Sequence, residues 1–67
     1  MTIREFAKSK KVTVIGKLER HPEYEETEYI NGKYVKMKVY IDEGGNEFCY
    51  SAKENVGCIM TADGNVL

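Results

Sequence analysis

The chain has 67 residues, 42% apolar and 31% charged, with a formal net charge of −1. That length allows a single domain, the composition excludes a disordered chain, and the near-neutral balance argues against non-specific nucleic-acid binding by the chain as a whole. No apolar run approaches the roughly 20 residues needed to cross a bilayer.

Charge is unevenly distributed along the chain. Residues 1–20 are net basic. Residues 21–30 carry four acids and no Lys or Arg. Lys33, Lys36 and Lys38 follow without an acid among them, and residues 42–67 set Lys53 against five acids. Blocks of this kind neutralise one another across paired strands or leave separate signed patches. The basic N-terminus has no apolar stretch behind it, so a signal peptide is not expected.

"TIREFAKSKK" predicts a short helix. Thr2 with Glu5 three residues later is a capping box, which satisfies two backbone donors that the first turn leaves open. Ile3, Phe6, Ala7 and Lys10 share one face at helical spacing, and Arg4, Lys8 and Lys11 share another. A helix this short is unstable alone in water, so Ile3 and Phe6 must dock on the rest of the domain.

"KVTVIGKLER" changes to period two, placing Val12, Val14, Gly16 and Leu18 on one side of a predicted first strand. Gly16 marks a bulge or the close passage of another part of the chain. Pro22 has no N–H to give a ladder, so His21-Pro22 is expected to end this strand.

"EYEETEYINGKYVKMKVYI" predicts a hairpin. Asn31-Gly32 suits a type I′ turn, which needs positive φ at both central positions. That turn sets Ile30 opposite Lys33, Tyr29 opposite Tyr34, Thr27 opposite Lys36 and Glu25 opposite Lys38. On the other face it sets Glu28 opposite Val35 and Glu26 opposite Met37. Acids on an inward face suit an edge strand guarded against further pairing.

"DEGGNE" is a loop rich in turn formers. "FCYSA" and "CIMT" read as further strands, with "KENVG" between them, and "ADGN" turns into a final "VL". The fold class is therefore α+β: one short N-terminal helix on a five- to six-stranded antiparallel meander, curled toward a small half-open barrel. One domain spans residues 1–67. Its expected core is Phe6, Val12, Val14, Leu18, Val39, Ile41, Phe48 and Ile59, with Ile3 and Val35 beside them.

Few residues suggest chemistry. Two cysteines and one histidine fall short of a four-ligand zinc site. Cys49 and Cys58 are too few for the disulfide framework of a small secreted domain. They are read as reduced thiols in a bacterial-type cytoplasm, with a bridge between neighbouring strands left open. His21 is the one candidate base for a nucleophile at Cys58, and no Gly-rich phosphate loop joins a strand to a helix. No catalytic residue, cofactor or metal is expected.

The binding candidates are Tyr29, Tyr34, Lys36, Lys38 and Tyr40 on one sheet face, and Arg4, Lys8 and Lys11 on the helix. Interleaved aromatic and basic side chains can stack bases and follow phosphates. The same pattern also serves as plain architecture, with tyrosine favoured in strands and the lysines neutralised by Glu25 and its neighbours. Two functions fit these features. The first is a small non-catalytic adaptor that binds another protein as a monomer or weak dimer, with no membrane partner. The alternative is a nucleic-acid-binding accessory module.

One stretch has a likeness beyond composition. Gly32, Lys33, Tyr34, Asp42, Gly45, Tyr50 and Ser51 resemble the turn-and-strand pattern of the small three-stranded arm-type DNA-binding domains of tyrosine recombinases from conjugative transposons. In that family the sheet enters the DNA major groove, so the resemblance would put Lys36, Lys38 and Tyr40 near nucleic acid. The family has a helix after its third strand and is strongly basic. "NVGCIMTADGNVL" reads as more strand, and residues 42–67 are acidic.

Overall fold

A computed structural model describes residues 2–67, the side chain of Glu23 excepted. One helix, α1 (Ile3–Ser9), precedes four strands: β1 (Glu19–Ile30), β2 (Lys33–Ile41), β3 (Glu47–Ser51) and β4 (Val56–Met60). They form one antiparallel sheet in the order β1-β2-β3-β4. Val66 bridges Met60 beyond β4, and Ile59 and Leu67 exchange backbone hydrogen bonds of 3.2 and 2.8 Å. The C-terminus thus adds a very short fifth segment. No ladder joins β1 to β4, so the sheet is open.

The helix is capped as expected. Glu5 N donates to Thr2 Oγ1 at 3.2 Å, and Thr2 N donates to Glu5 Oε1 at 2.9 Å. Those hydrogen bonds hold the Glu5 carboxyl below its ordinary pKa. α1 ends earlier than predicted, because Lys11 adopts a left-handed φ of 62° and Val12 N turns back to Ala7 O. Lys11 therefore leaves the helical stripe on which its spacing had put it beside Arg4 and Lys8.

The predicted first strand does not form. Residues 12–18 join no ladder; they are tied down from two sides instead. Ile15 N donates to Asp42 Oδ2 at 2.9 Å, Glu43 N donates to Ile15 O at 2.9 Å, and Arg4 Nη2 donates to Gly16 O at 3.0 Å. Gly16 has φ +66° and lies against the Glu43 carboxylate, where a Cβ would overlap it. The period-two pattern was real all the same, since Val12, Val14 and Leu18 pack half-buried on the core.

Pro22 does not end a strand either. β1 runs through it, and the register slips between Arg20 (opposite Tyr40) and Glu25 (opposite Lys38). The outer edge of the sheet asks no N–H of a proline, and the bulge absorbs the extra residues. Tyr24 N donates to His21 Nδ1 at 3.1 Å within it. Beyond the bulge the hairpin register is the one its turn dictates, from Ile30↔Lys33 to Glu25↔Lys38. Asn31 and Gly32 have φ 50° and 83°.

Apolar side chains are buried on both faces of the sheet. On the helix side, Phe6, Ala7, Phe48, Tyr50 and Ile59 form one cluster. Phe6 stacks on Tyr50 with ring centroids 4.7 Å apart. Gly57 lies opposite Tyr50, and a Cβ there would come 3.1 Å from Phe6 Cζ and 2.3 Å from Cys49 O. Glycine lets the aromatic pair sit over β4.

On the other face, Val35, Met37, Val39 and Cys49 form a second cluster with Ile30, Val56 and Cys58 packed against it. Tyr24 and Glu26 of β1 line a cleft of about 40 Å³ together with Cys58 and Met60 of β4, so the curl of the sheet itself shelters this face. Ile41, expected in the core, is only half-buried at the end of β2. Ala7, Met37, Cys49 and Tyr50 take core positions that had not been assigned to them.

Candidate functional site

Strand alternation divides most of the β1–β2 charges between two faces, with Glu25 and Lys33 as the exceptions. Arg20, Lys36 and Lys38 point to the helix side with Tyr29, Tyr34 and Tyr40, whereas Glu26 and Glu28 share the opposite face with Val35 and Met37. Tyr29 and Tyr34 are 65% and 76% exposed and meet edge to face, 5.1 Å between centroids. Their mutual contact stiffens an aromatic platform that the core does not use.

Within this face, Glu25 pairs with Arg20 and not with the lysines. Glu25 lies opposite Lys38 in the register, but its Oε1 accepts from Arg20 Nη2 at 3.3 Å. Lys36 and Lys38 form no ion pair among the described residues. Lys33, which the recombinase resemblance used, points the other way and holds Glu54 at 2.7 Å. That contact pulls the Glu54 carboxyl below its ordinary pKa.

The fold adds a groove that the strand pattern alone did not reveal. Lys36, Lys38 and Tyr40 of β2 line about 410 Å³ of open space with Tyr50 and Ser51 of β3, Lys53 of the following turn, and Thr2 and Ile3 at the start of α1. No carboxylate of the described residues is in that lining. The Tyr50 hydroxyl donates to Asn55 Oδ1 at 3.1 Å, so its ring is held from both ends.

Lys53 is the residue that sequence reasoning missed. Strand spacing could not place it, because it belongs to the β3–β4 turn and reaches the groove only once β3 pairs with β2. Arg4 and Lys8, in contrast, line a separate shallow cleft with Val12, Thr13 and Val14. Arg4 is further committed to Gly16 O. The helix and sheet candidates therefore form two basic patches, and Lys11 joins neither lining.

Other polar clusters are structural. Asp42, only 5% exposed, accepts from Ile15 N and Asn46 Nδ2 at Oδ2 and from Gly44 N and Asn46 N at Oδ1, each at 2.9 Å. Burial would raise its pKa, but these four donors outweigh it and hold the carboxyl below its ordinary range. Asn46 Oδ1 in turn accepts from Ala62 N at 3.0 Å. Among the described residues, no group of three or more His, Cys, Asp or Glu could hold a metal ion. No helix among them is long and apolar enough to cross a membrane.

No family model, curated protein or solved structure matches this chain. The recombinase-like pattern also parts from the fold at a definite place: β4 stands where that family carries a helix.

Proposed function

We propose that this protein is a small non-catalytic binding module whose working surface is the Tyr/Lys face of β2 and the groove beside α1. The observation that carries the reading is the convergence of Lys36, Lys38 and Lys53 on Tyr40 and Tyr50 with no carboxylate of the described residues in the lining. Lys36 and Lys38, without an ion pair among the described residues, leave their ammonium groups open to a partner, and tyrosines give contact area at small entropic cost. The occupant is an acidic segment of another protein, with the lysines meeting its carboxylates and its apolar side chains on Ile3 and Tyr40. Charge complementarity of this kind sets orientation and association rate more than raw affinity.

The exposed Tyr29–Tyr34 pair favours a second reading, single-stranded nucleic acid stacked on the tyrosines and followed by the lysines. One titration distinguishes the two. A fluorescein-labelled Asp/Glu-rich peptide carrying two aromatic residues and a labelled oligonucleotide are each added at two salt concentrations. For the adaptor, the peptide binds more tightly than the oligonucleotide, and Lys36→Ala with Lys38→Ala weakens it at least tenfold. Micromolar oligonucleotide binding at physiological salt would replace it with the nucleic-acid reading, as would a salt slope reduced by about two in the double variant, one unit per lost phosphate contact. If neither probe binds, or the double variant binds both unchanged, this face is architecture.

A further inference from the structure

The two cysteines have a geometry that the proposed binding face does not use. Cys49 of β3 and Cys58 of β4 are direct cross-strand partners, and both carry free thiols. Their sulfurs lie 3.6 Å apart. Facing residues in an antiparallel pair have Cα atoms about 4.5–5.5 Å apart, inside the roughly 4.4–6.8 Å that a disulfide spans. Closing the bond to about 2.05 Å needs side-chain rotation and a small approach of the two strands, because facing Cβ atoms about 4.5–5.5 Å apart must come within about 3.5–4.5 Å.

We propose that Cys49 and Cys58 are a reversible modification site, a dithiol that a small-molecule disulfide converts to a cross-strand bridge stapling β3 to β4. Both side chains line the small cleft shared with Tyr24, Glu26, Val39, Glu47 and Met60. Cys58 is half-buried and Cys49 buried, so Cys58 reacts first. Its thiolate attacks one sulfur of the reagent, forming a mixed disulfide and expelling one thiolate. Cys49 then loses its proton and attacks Cys58 Sγ, expelling the second. Net, the two cysteines give up two protons and two electrons, and the reagent becomes two thiols.

Burial pushes the Cys49 thiol up to about 12, assisted by Cys58 and by the carboxylates of Glu26 and Glu28. Cys49 is therefore a poor nucleophile toward external reagents. The second step is intramolecular, between sulfurs already in contact, and that proximity offsets the small thiolate fraction. Glu26 and Glu47 in the cleft disfavour an anionic oxidant, so the reagent is an uncharged or cationic disulfide.

The test uses the wild-type protein, folded, with excess 2-hydroxyethyl disulfide, an uncharged reagent. Intact mass, non-reducing electrophoresis and the thermal midpoint are followed. The expected product is a monomer lighter by two hydrogens, whose digest joins the Cys49 and Cys58 peptides. Its midpoint should rise by about 10 °C and fall back on reduction. Cys58→Ser should give no bridge and no shift. Any of three results would overturn the proposal: a mercaptoethanol adduct that persists on the wild type, a disulfide-linked dimer, or closure only after urea unfolding.

Discussion

Asp42 ties Ile15 to the loop at Gly44 and Asn46, so replacing it is the sharpest perturbation of the fold. In Asp42→Asn the side chain keeps its shape but offers one acceptor oxygen. The new amide N–H₂ then faces N–H donors that Oδ1 or Oδ2 now satisfies. Hydrogen bonds to a charged acceptor contribute about 1.5–3 kcal/mol each, and a buried donor left without a partner costs about 1–3 kcal/mol. These contributions do not add, because the four bonds share one carboxylate. A net loss of about 2–4 kcal/mol is expected, most of the roughly 3–5 kcal/mol available to a domain of this size.

The assay is urea unfolding followed by circular dichroism at neutral and acidic pH. The Asp42 carboxyl is depressed in the folded state, so its stabilisation is fully present above the unfolded value near 3.9. It is lost as pH falls through the lower folded value. The gap between wild type and Asp42→Asn should therefore be wide at neutral pH and narrow on acidification below that range. A variant within about 0.5 kcal/mol of wild type at neutral pH, an ordinary surface effect, would refute the argument. A gap that stays constant on acidification would show that the charge is not what Asp42 contributes.

Phe6→Ala removes the ring that stacks on Tyr50 and should cost about 3–5 kcal/mol, leaving the chain largely unfolded without denaturant; a loss below about 1 kcal/mol would mean that α1 does not anchor the sheet. Replacing Glu26 and Glu28 with Thr removes the two acids that the edge strand β1 sets opposite Met37 and Val35 and should promote dimers or aggregates in sedimentation; an unchanged monomer would show that the edge is protected in another way. Thiol labelling of the folded protein at neutral pH should leave Cys49 unmodified long after a free thiol control has reacted, and rapid labelling at that position would contradict the burial described for it.

The sequence alone determined what depends on near neighbours. The capping box of Thr2 and Glu5, the type I′ turn at Asn31-Gly32 and the register that follows from it are local, because each is set by backbone geometry within a few residues. Once the turn was placed, period-two alternation sorted Lys36, Lys38 and Tyr40 from Val35, Met37 and Val39 without further information. Tertiary structure decided where each face is covered: the Val35, Met37 and Val39 side is buried, and the other side is buried at Phe48, Tyr50 and Ile59 of β3 and β4. Acids opposite Val35 and Met37 had suggested an inward-facing edge strand, and the curl of the sheet shelters the apolar side chains of that face, with Glu26 in the cleft it forms. Tertiary contacts also turned the strand-like pattern at Val12–Leu18 into a coil strapped to Asp42 and Glu43. A buried carboxylate with four donors outcompetes ladder pairing, and no local pattern announces it. Lys53 entered the groove for the same reason: its neighbours there are distant in sequence, and only the pairing of β2 with β3 brings their charges together.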